Sequence, residues 1–165
     1  MTTSFATCDL CDAHKGSTDG RFRVLAPVFH DYGQRRKFAG QVVTVKCFED
    51  NSLVKQALES PGEGRVLVVD GGASLRRALI GGNIGAAAAR NGWAGVVVDG
   101  CVRDAAELAV CDVGIRALAL MPWPTERRNE GQRDVPVMIQ GTPVRPGDWL
   151  YADEDGIVVS AEALV

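Results

Sequence analysis

The chain has 165 residues, of which 46% are hydrophobic and 24% are charged, a balance typical of globular proteins. Its net charge of −3 argues against a nucleic-acid-binding protein, which usually presents a basic face. No stretch approaches the roughly 20 apolar residues of a membrane span, and Met1–Phe5 lacks the features of a signal peptide. We therefore expect a cytoplasmic protein with no membrane or direct nucleic-acid contact, in which residues 1–165 form a single domain.

The first half of the chain alternates helix and strand patterns. Apolar spacing and turn residues predict, in order, a helix over 7–15 with Thr7 as its cap, a strand over 41–48, a helix over 52–60, a buried strand over 65–70, a short helix over 75–80 capped by Ser74, and a helix over 84–91. Gly92 follows at the position where a helix commonly ends.

The second half adds a strand over 96–99, a helix after Arg103 and a strand over 114–120. Short strands are then predicted over 135–140, at 144, over 149–151 and over 157–160, with turns at 145–148 and 153–156. The layout is a βαβαβ centre followed by a β-rich C-terminal portion. It predicts an α/β fold.

Arg103 and Asp104 directly follow the apolar strand that ends near Asp99. Ligand sites of α/β folds lie at this edge of the sheet, beyond the carboxyl ends of the strands. Arginine can bind a carboxylate through two hydrogen bonds, and aspartate can bind a hard divalent cation. The pair predicts an acidic small-molecule substrate handled with a metal ion.

Gly81, Gly82, Asn83 and Ile84 open the Ala-rich helix that precedes this strand. Free backbone N–H groups at a helix start, approached closely where side chains are absent, form an anion site. If the strands over 65–70 and 96–99 are parallel neighbours, the helix start and Arg103 lie at the same edge of the sheet. A carboxylate could then bind between them. A purely structural alternative stays open, because Asp104 and Glu107 also have the spacing of a helix-capping pair.

Other candidate chemistries have weaker support. Cys8 and Cys11, followed by His14, suggest zinc, but no second Cys/His pair completes four ligands. The odd count of five cysteines favours reduced thiols. The chain contains neither the Gly-x-Ser-x-Gly motif of serine hydrolases nor a P-loop lysine.

Ordered motifs over nearly the whole chain resemble one family. They are Thr7–Asp12, Phe38–Gly40, Val45–Asn51, Val66–Gly72, Asn91–Trp93, Gly100–Asp104, Pro146–Asp148, Tyr151–Asp153 and Asp155–Gly156. Together they are similar to the regulator of ribonuclease activity A (RraA)-like proteins, which are related to class II 4-hydroxy-4-methyl-2-oxoglutarate aldolases and oxaloacetate decarboxylases.

The resemblance implies an α/β/β domain of the swivelling phosphohistidine type, assembled as a homotrimer or a hexamer with active sites at subunit interfaces. In aldolase members the helix start, here Gly81–Ile84, binds the pyruvyl carboxylate. The residue matching Arg103 contacts the 2-keto acid, and the one matching Asp104 anchors Mg²⁺ or Mn²⁺. Glu107 matches a supporting carboxylate.

Two features depart from the aldolase pattern. Aldolase members commonly carry an acidic residue where this chain has Gly82, and longer members gain a carboxylate from a C-terminal extension beyond the position of Val165. Glu49 or Asp50 of a neighbouring subunit is a candidate substitute.

The resemblance leaves two functions to compare. One is a metal-dependent lyase for 4-carboxylated 2-keto acids, which forms a pyruvate enolate. The other is a ribonuclease E inhibitor without catalysis. Asp104 favours the lyase, because inhibitor-type members lack that aspartate.

Overall fold

The computed structural model describes residues 4–165. Its helices are α1 (Thr7–His14), α2 (Ser52–Leu58), α3 (Gly82–Arg90) and α4 (Ala105–Leu108). Its strands are β1 (Phe22–Val24), β2 (His30–Asp31), β3 (Phe38–Lys46), β4 (Val66–Asp70), β5 (Ala78–Ile80), β6 (Gly95–Val102), β7 (Gly114–Leu120), β8 (Gln132–Arg133), β9 (Val137–Ile139), β10 (Thr142–Val144), β11 (Trp149–Asp153) and β12 (Gly156–Ser160).

A mixed sheet forms the centre of the molecule. Strands β3, β4, β6 and β7 run parallel in that order, as the alternating helix and strand patterns of the first half predict. Beside β3, strands β11, β12 and β1 continue the sheet in antiparallel pairing, and β2 borders β7. The predicted α/β fold with a β-rich C-terminal portion is confirmed.

The two faces of the sheet bury different layers. In β4, Leu67 and Val69 pack on the side of helices α2 to α4, whereas Val66 and Val68 pack on the side of the β9–β10 hairpin. Alternate residues of a strand point to opposite faces, so a strand buried on both faces is apolar throughout. This is why β4 was predictable from its sequence alone.

Arg116 on β7 shows that the sheet is strongly curled. Three strands separate β7 from β11 in the sheet order, yet Nη2 of Arg116 donates to the Asp153 carbonyl oxygen at 2.7 Å and to the Arg36 carbonyl oxygen at 2.7 Å. The guanidinium also pairs with Asp31 and lies over the Phe38 ring. Curling brings these distant strands together on the hairpin face.

Helix α1 is attached to the sheet through Asp153 at the end of β11. The Asp153 carboxylate accepts hydrogen bonds from the Thr7 N–H at 2.7 Å and from the Thr7 hydroxyl at 2.6 Å. The prediction that Thr7 caps its own helix is therefore wrong, since Ala6 occupies the N-cap position and the Thr7 side chain bonds to a distant strand.

The short helix predicted over 75–80 is also wrong. Residues 78–80 form β5, which is buried and pairs parallel with β6. The Ser74 hydroxyl does not start a helix. It accepts a hydrogen bond from the Arg76 N–H at 3.3 Å and donates one to Glu49 at 2.6 Å, so the chain turns here and then extends into the sheet.

The two turns predicted in the C-terminal portion are confirmed. Gly147 has φ +90° and the Asp148 N–H donates to the Arg145 carbonyl oxygen at 3.1 Å, while Asp153 and Gly156 pair across the β11–β12 hairpin. Among the described helices, none has the length and apolar composition that crossing a bilayer requires.

Candidate active site

Asp104 lies just beyond the carboxyl end of β6, at the N-cap position of α4, but its side chain makes no capping hydrogen bond there. Its backbone is left-handed, with φ +63° and ψ +51°, and its side chain bonds to no N–H of α4. Instead, Oδ2 accepts a hydrogen bond from the Gly82 N–H at 2.8 Å. The capping-pair alternative is therefore wrong for Asp104, whose carboxylate joins the end of β6 to the start of α3.

The start of α3 presents backbone donors to the same space. Gly81 is its N-cap residue, with no side-chain cap, and the first α-helical bond runs from the Gly85 N–H to the Gly81 carbonyl oxygen. The N–H groups of Asn83 and Ile84 belong to the first turn, where a helix has no internal acceptors for them. A Cβ at Gly81 would lie 2.7 Å from Asp104 Oδ2, so glycine makes the close approach possible.

Glu107 lies over the first residue of α3. A Cβ built on Gly82 would collide with the Glu107 carboxylate. The space that a side chain at position 82 would enter is thus filled by a carboxylate from α4. Asp104 and Glu107 flank consecutive glycines of the same helix start.

The helix start, Arg103 and Asp104 line a cavity of about 400 Å³, within the size range of small-molecule sites. Glu107 lines a neighbouring cavity, which shares Gly82 and Asn83 with the first. The lining of the first cavity contains six residues singled out from the sequence: Gly81, Gly82, Asn83, Ile84, Arg103 and Asp104. The structure therefore brings the glycine-rich helix start and the Arg-Asp pair together, and β4 and β6 are the parallel neighbours on which this prediction depended.

Three further polar residues of the lining were missed by the sequence analysis, namely Asn51, Thr125 and Arg127. Asn51 follows the carboxyl end of β3, so its position at a strand end was an available signal. Thr125 and Arg127 belong to the irregular segment after β7, and no periodicity in the sequence places that segment over the site.

Glu49 and Asp50 lie in a different cleft. The Glu49 carboxylate accepts hydrogen bonds from Arg76 Nε at 2.7 Å and from the Ser74 hydroxyl at 2.6 Å, and these bonds hold its pKa below the usual value. Asp50 is buried and accepts bonds from Ser52 and from the backbone N–H of Arg128. Within one chain, both carboxylates are occupied outside the 400 Å³ cavity.

The donor set at the cavity was compared with what a divalent cation requires. Within residues 4–165, no three His, Cys, Asp or Glu side chains converge as a ready-made metal site. Asp104 is the carboxylate of the cavity lining, and Glu107 is a second carboxylate beside Gly82 that lines the neighbouring cavity. Mg²⁺ is commonly bound by one or two carboxylates, with water and substrate oxygens completing its shell, so Asp104 fits a hard divalent cation of this kind.

Residues 7–159 match the profile of the RraA-like proteins, described as Aldolase/RraA. The chain belongs to the Aldolase/RraA family. This match covers most of the chain, in agreement with the ordered motifs that first indicated the resemblance.

Relatives within the Aldolase/RraA family carry names of different kinds. A protein of Albidiferax ferrireducens, provisionally named 4-hydroxy-4-methyl-2-oxoglutarate aldolase, is 69% identical over 173 aligned positions that cover 100% of both chains. The RNA-processing inhibitor RraA from Thermus thermophilis is similar in structure, with a TM-score of 0.92 and 44% identity over 99% of this chain and 96% of that one. A Geobacillus kaustophilus protein named S-adenosylmethionine: 2-dimethylmenaquinone methyltransferase is also similar in structure, with a TM-score of 0.89 and 40% identity over 97% of each chain.

Proposed function

We propose that this Aldolase/RraA protein is a divalent-metal-dependent carbon–carbon lyase that cleaves 4-carboxylated 2-keto acids to pyruvate. The observation that carries the proposal is the hydrogen bond from the Gly82 N–H to Asp104 Oδ2 at 2.8 Å. This bond joins the end of β6 to the start of α3, and Asp104 lines the same cavity as Arg103 and the α3 start. This shared lining supports Asp104 as the metal-binding carboxylate. The aldolase name of the Albidiferax relative supports the same reaction, with 4-hydroxy-4-methyl-2-oxoglutarate as substrate.

The pyruvyl end of the substrate is assigned to the start of α3 and to Arg103. The Gly82 N–H is already bonded to Asp104, which leaves the N–H groups of Asn83 and Ile84 for the substrate carboxylate. The positive end of the helix dipole favours an anion at this point. The Arg103 guanidinium can then hold the 2-keto oxygen and stabilise negative charge that develops there.

Asp104 would hold Mg²⁺ or Mn²⁺, with Glu107 as a supporting carboxylate. When bound, the cation polarises the 2-keto oxygen and stabilises an enolate. In aldol cleavage the 4-hydroxyl group gives its proton to water, which later returns a proton to C3. The C3–C4 bond breaks, and the C4–O bond becomes the carbonyl of one pyruvate. The electron pair of the broken bond forms the enolate of the other pyruvate, which is protonated at C3.

Decarboxylation of oxaloacetate ends in the same enolate. There the bond to the C4 carboxylate breaks, carbon dioxide leaves, and its bonding pair forms the pyruvate enolate. Arg103 and the α3 start would bind the identical pyruvyl part in both reactions. One site therefore supports both activities.

The methyltransferase activity for which the Geobacillus neighbour is named is less compatible with this cavity. S-adenosylmethionine has a net positive charge, from a sulfonium, an ammonium and one carboxylate, and the lining of the 400 Å³ cavity is also net positive, with Arg103 and Arg127 against Asp104. Two guanidiniums repel a cation and attract carboxylates. The charge of the lining therefore favours an anionic keto acid.

A second candidate function is inhibition of ribonuclease E, which is favoured by the similarity to the Thermus inhibitor of RNA processing. This role needs a protein-binding surface and no catalysis. A pull-down of purified ribonuclease E tests it independently of the lyase assay.

We further propose that the chain forms a single domain of the swivelling phosphohistidine type and assembles as a cytoplasmic homotrimer or hexamer. Light scattering would then measure a particle mass of three or six chains.

The lyase proposal is tested by pyruvate release from 4-hydroxy-4-methyl-2-oxoglutarate and from oxaloacetate, with Mg²⁺ or Mn²⁺ and with EDTA. Wild-type turnover should require the cation, and Asp104→Asn should lower it by at least about 100-fold through loss of the carboxylate charge. Asp134→Asn is the matched control, because Asp134 also has a left-handed backbone at φ +57° but does not line the cavity. Turnover that survives EDTA or Asp104→Asn would overturn the proposal.

A further inference from the structure

Asn51 connects three separate parts of the candidate site. Its side chain is buried, with 6% exposure, and Nδ2 donates to the Leu79 carbonyl oxygen on β5 at 2.9 Å. Its Oδ1 accepts hydrogen bonds from the Thr125 hydroxyl at 2.8 Å and from Arg127 Nε at 3.1 Å. One amide thus fixes the irregular segment after β7 against the strand that leads into α3.

This arrangement holds the Arg127 guanidinium by one nitrogen. Its described hydrogen bond uses Nε, while the two terminal nitrogens remain for another partner at the cavity that Arg127 lines. A guanidinium binds a carboxylate through two parallel hydrogen bonds, and a fixed orientation reduces the entropy lost on binding. Arg127 is therefore arranged as a binding group rather than as a partner in an internal ion pair.

The charges of the lining match a substrate with two carboxylates. Arg103 and Arg127 are its cations and Asp104 is its carboxylate, and a divalent cation at Asp104 would make the balance more positive still. Arg103 lies beside Gly81 at the start of α3, the part assigned to the pyruvyl end. Arg127 is carried by a different segment, so it is the available partner for the other end of the molecule.

We propose that Arg127 binds the distal carboxylate of a 2-keto dicarboxylic acid and so determines substrate specificity, with Asn51 and Thr125 as positioning residues. This inference rests on the proposed lyase function. It goes beyond that function by assigning the end of the substrate that does not become the enolate. That end is the C5 carboxylate of 4-hydroxy-4-methyl-2-oxoglutarate, which remains on the departing pyruvate.

The test compares two substrates and one partial reaction. The analogue 4-hydroxy-4-methyl-2-oxopentanoate has a methyl group in place of the distal carboxylate, and exchange of pyruvate methyl protons in D₂O measures enolate formation without any distal group. Arg127→Gln should lower kcat/KM for the dicarboxylate by about 10- to 100-fold, the size expected for losing a charged hydrogen-bond pair. The analogue and the proton exchange should change by less than about 3-fold.

Matched variants separate recognition from folding. Arg127→Lys should recover part of the preference for the dicarboxylate, and Thr125→Val should reduce that preference more weakly than Arg127→Gln. Arg128→Gln is the neighbouring control, since Arg128 pairs with Glu126 at 3.0 Å and does not line the cavity, and it should leave the preference unchanged.

The outcomes distinguish this inference from the function on which it rests. An active wild type whose Arg127→Gln variant loses dicarboxylate cleavage and pyruvate exchange equally would show a structural role and overturn the assignment. Unchanged kcat/KM for the dicarboxylate would overturn it as well. A wild type without cation-dependent cleavage or exchange would instead remove the lyase function, and this inference with it.

Discussion

At the scale of single residues, the site depends on the absence of side chains at Gly81 and Gly82. Gly81 lets Asp104 approach the start of α3, and Gly82 leaves room for the Glu107 carboxylate. Aspartate tolerates the left-handed backbone of residue 104 better than most residues. Because neither glycine has a side chain, the carboxylates of Asp104, at the end of β6, and Glu107, on α4, can lie against the start of α3.

The close approach of Glu107 to Gly82 predicts that Gly82→Ala lowers activity more than it lowers stability. The new methyl group would collide with the flexible end of the Glu107 side chain, which can move away at little cost to the fold. We expect the melting temperature to change by less than about 2 °C, because the displaced group is exposed, while pyruvate release falls at least several-fold.

Gly85→Ala is the contrasting variant in the same helix. Its added methyl would lie 2.6 Å from Leu108 Cδ2 in the core, and such overpacking costs about 1–3 kcal/mol of unfolding free energy. Thermal melts and kinetic assays on both variants measure the contrast. Equal losses of stability for the two variants would argue that Glu107 is a packing residue only.

At the scale of elements, α1 is held by a buried carboxylate that belongs to the β11–β12 hairpin. Burial by itself raises the pKa of Asp153, but the hydrogen bonds from the Thr7 hydroxyl and N–H, and from the Asp155 and Gly156 N–H groups, outweigh it and lower the pKa overall. Phe5 and Leu10 add apolar contacts to Tyr151 and Val158. Helix and hairpin are therefore coupled through a charge as well as through packing.

A lowered folded-state pKa means that this charge stabilises the fold above the unfolded pKa of about 3.9 and that the stabilisation is lost as pH falls through the folded value. Asp153→Asn should therefore lower the melting temperature at pH 7, and its difference from wild type should shrink as pH approaches 2. Circular dichroism melts at several pH values measure this difference. Glu154→Gln is the control, because Glu154 is exposed in the adjoining turn and its side chain has no described hydrogen bond to α1. It should leave the melting temperature nearly unchanged at each pH, and a difference for Asp153→Asn that stays constant with pH would contradict the account.

At the scale of the whole molecule, Arg116 on β7 links strands that lie far apart in the order of the curled sheet. Its buried guanidinium donates hydrogen bonds to the carbonyl oxygens of Arg36 and Asp153 and forms an ion pair with Asp31. Removing one member of a buried charged network leaves the others without partners, which costs more than the network contributes in net stability.

Arg116→Met should therefore lower the unfolding free energy by about 3–5 kcal/mol. Arg35→Met, which removes an exposed ion pair with Asp112, should cost no more than about 1 kcal/mol. Urea denaturation of both variants provides the comparison. Similar midpoints for the two would show that the Arg116 network does not hold the curled sheet.

Much of the architecture could be predicted because its signals are local. The apolar run of β4, the glycine-punctuated α3 and the turn at 145–148 each follow from residue types within a few positions. The prediction of a helix over 75–80 was wrong because its helix-like start is a turn at Ser74. The last three residues of the segment pair with β6 as a strand. That pairing is a tertiary contact that no local pattern encodes.

By itself, the sequence determined the α/β fold, the strand-end position of Arg103 and Asp104, and the glycine-rich helix start, because strand and helix periodicity and glycine geometry act over short distances. Only the tertiary structure decided that Asp104 bonds to Gly82 rather than capping α4, that Glu107 fills the space beside Gly82, and that Asn51 holds Arg127 at the cavity. Each of these contacts joins residues about 20 or more positions apart. Such contacts are set by how strands order in a sheet and how an irregular segment folds back over it, which depends on the packing of the whole chain.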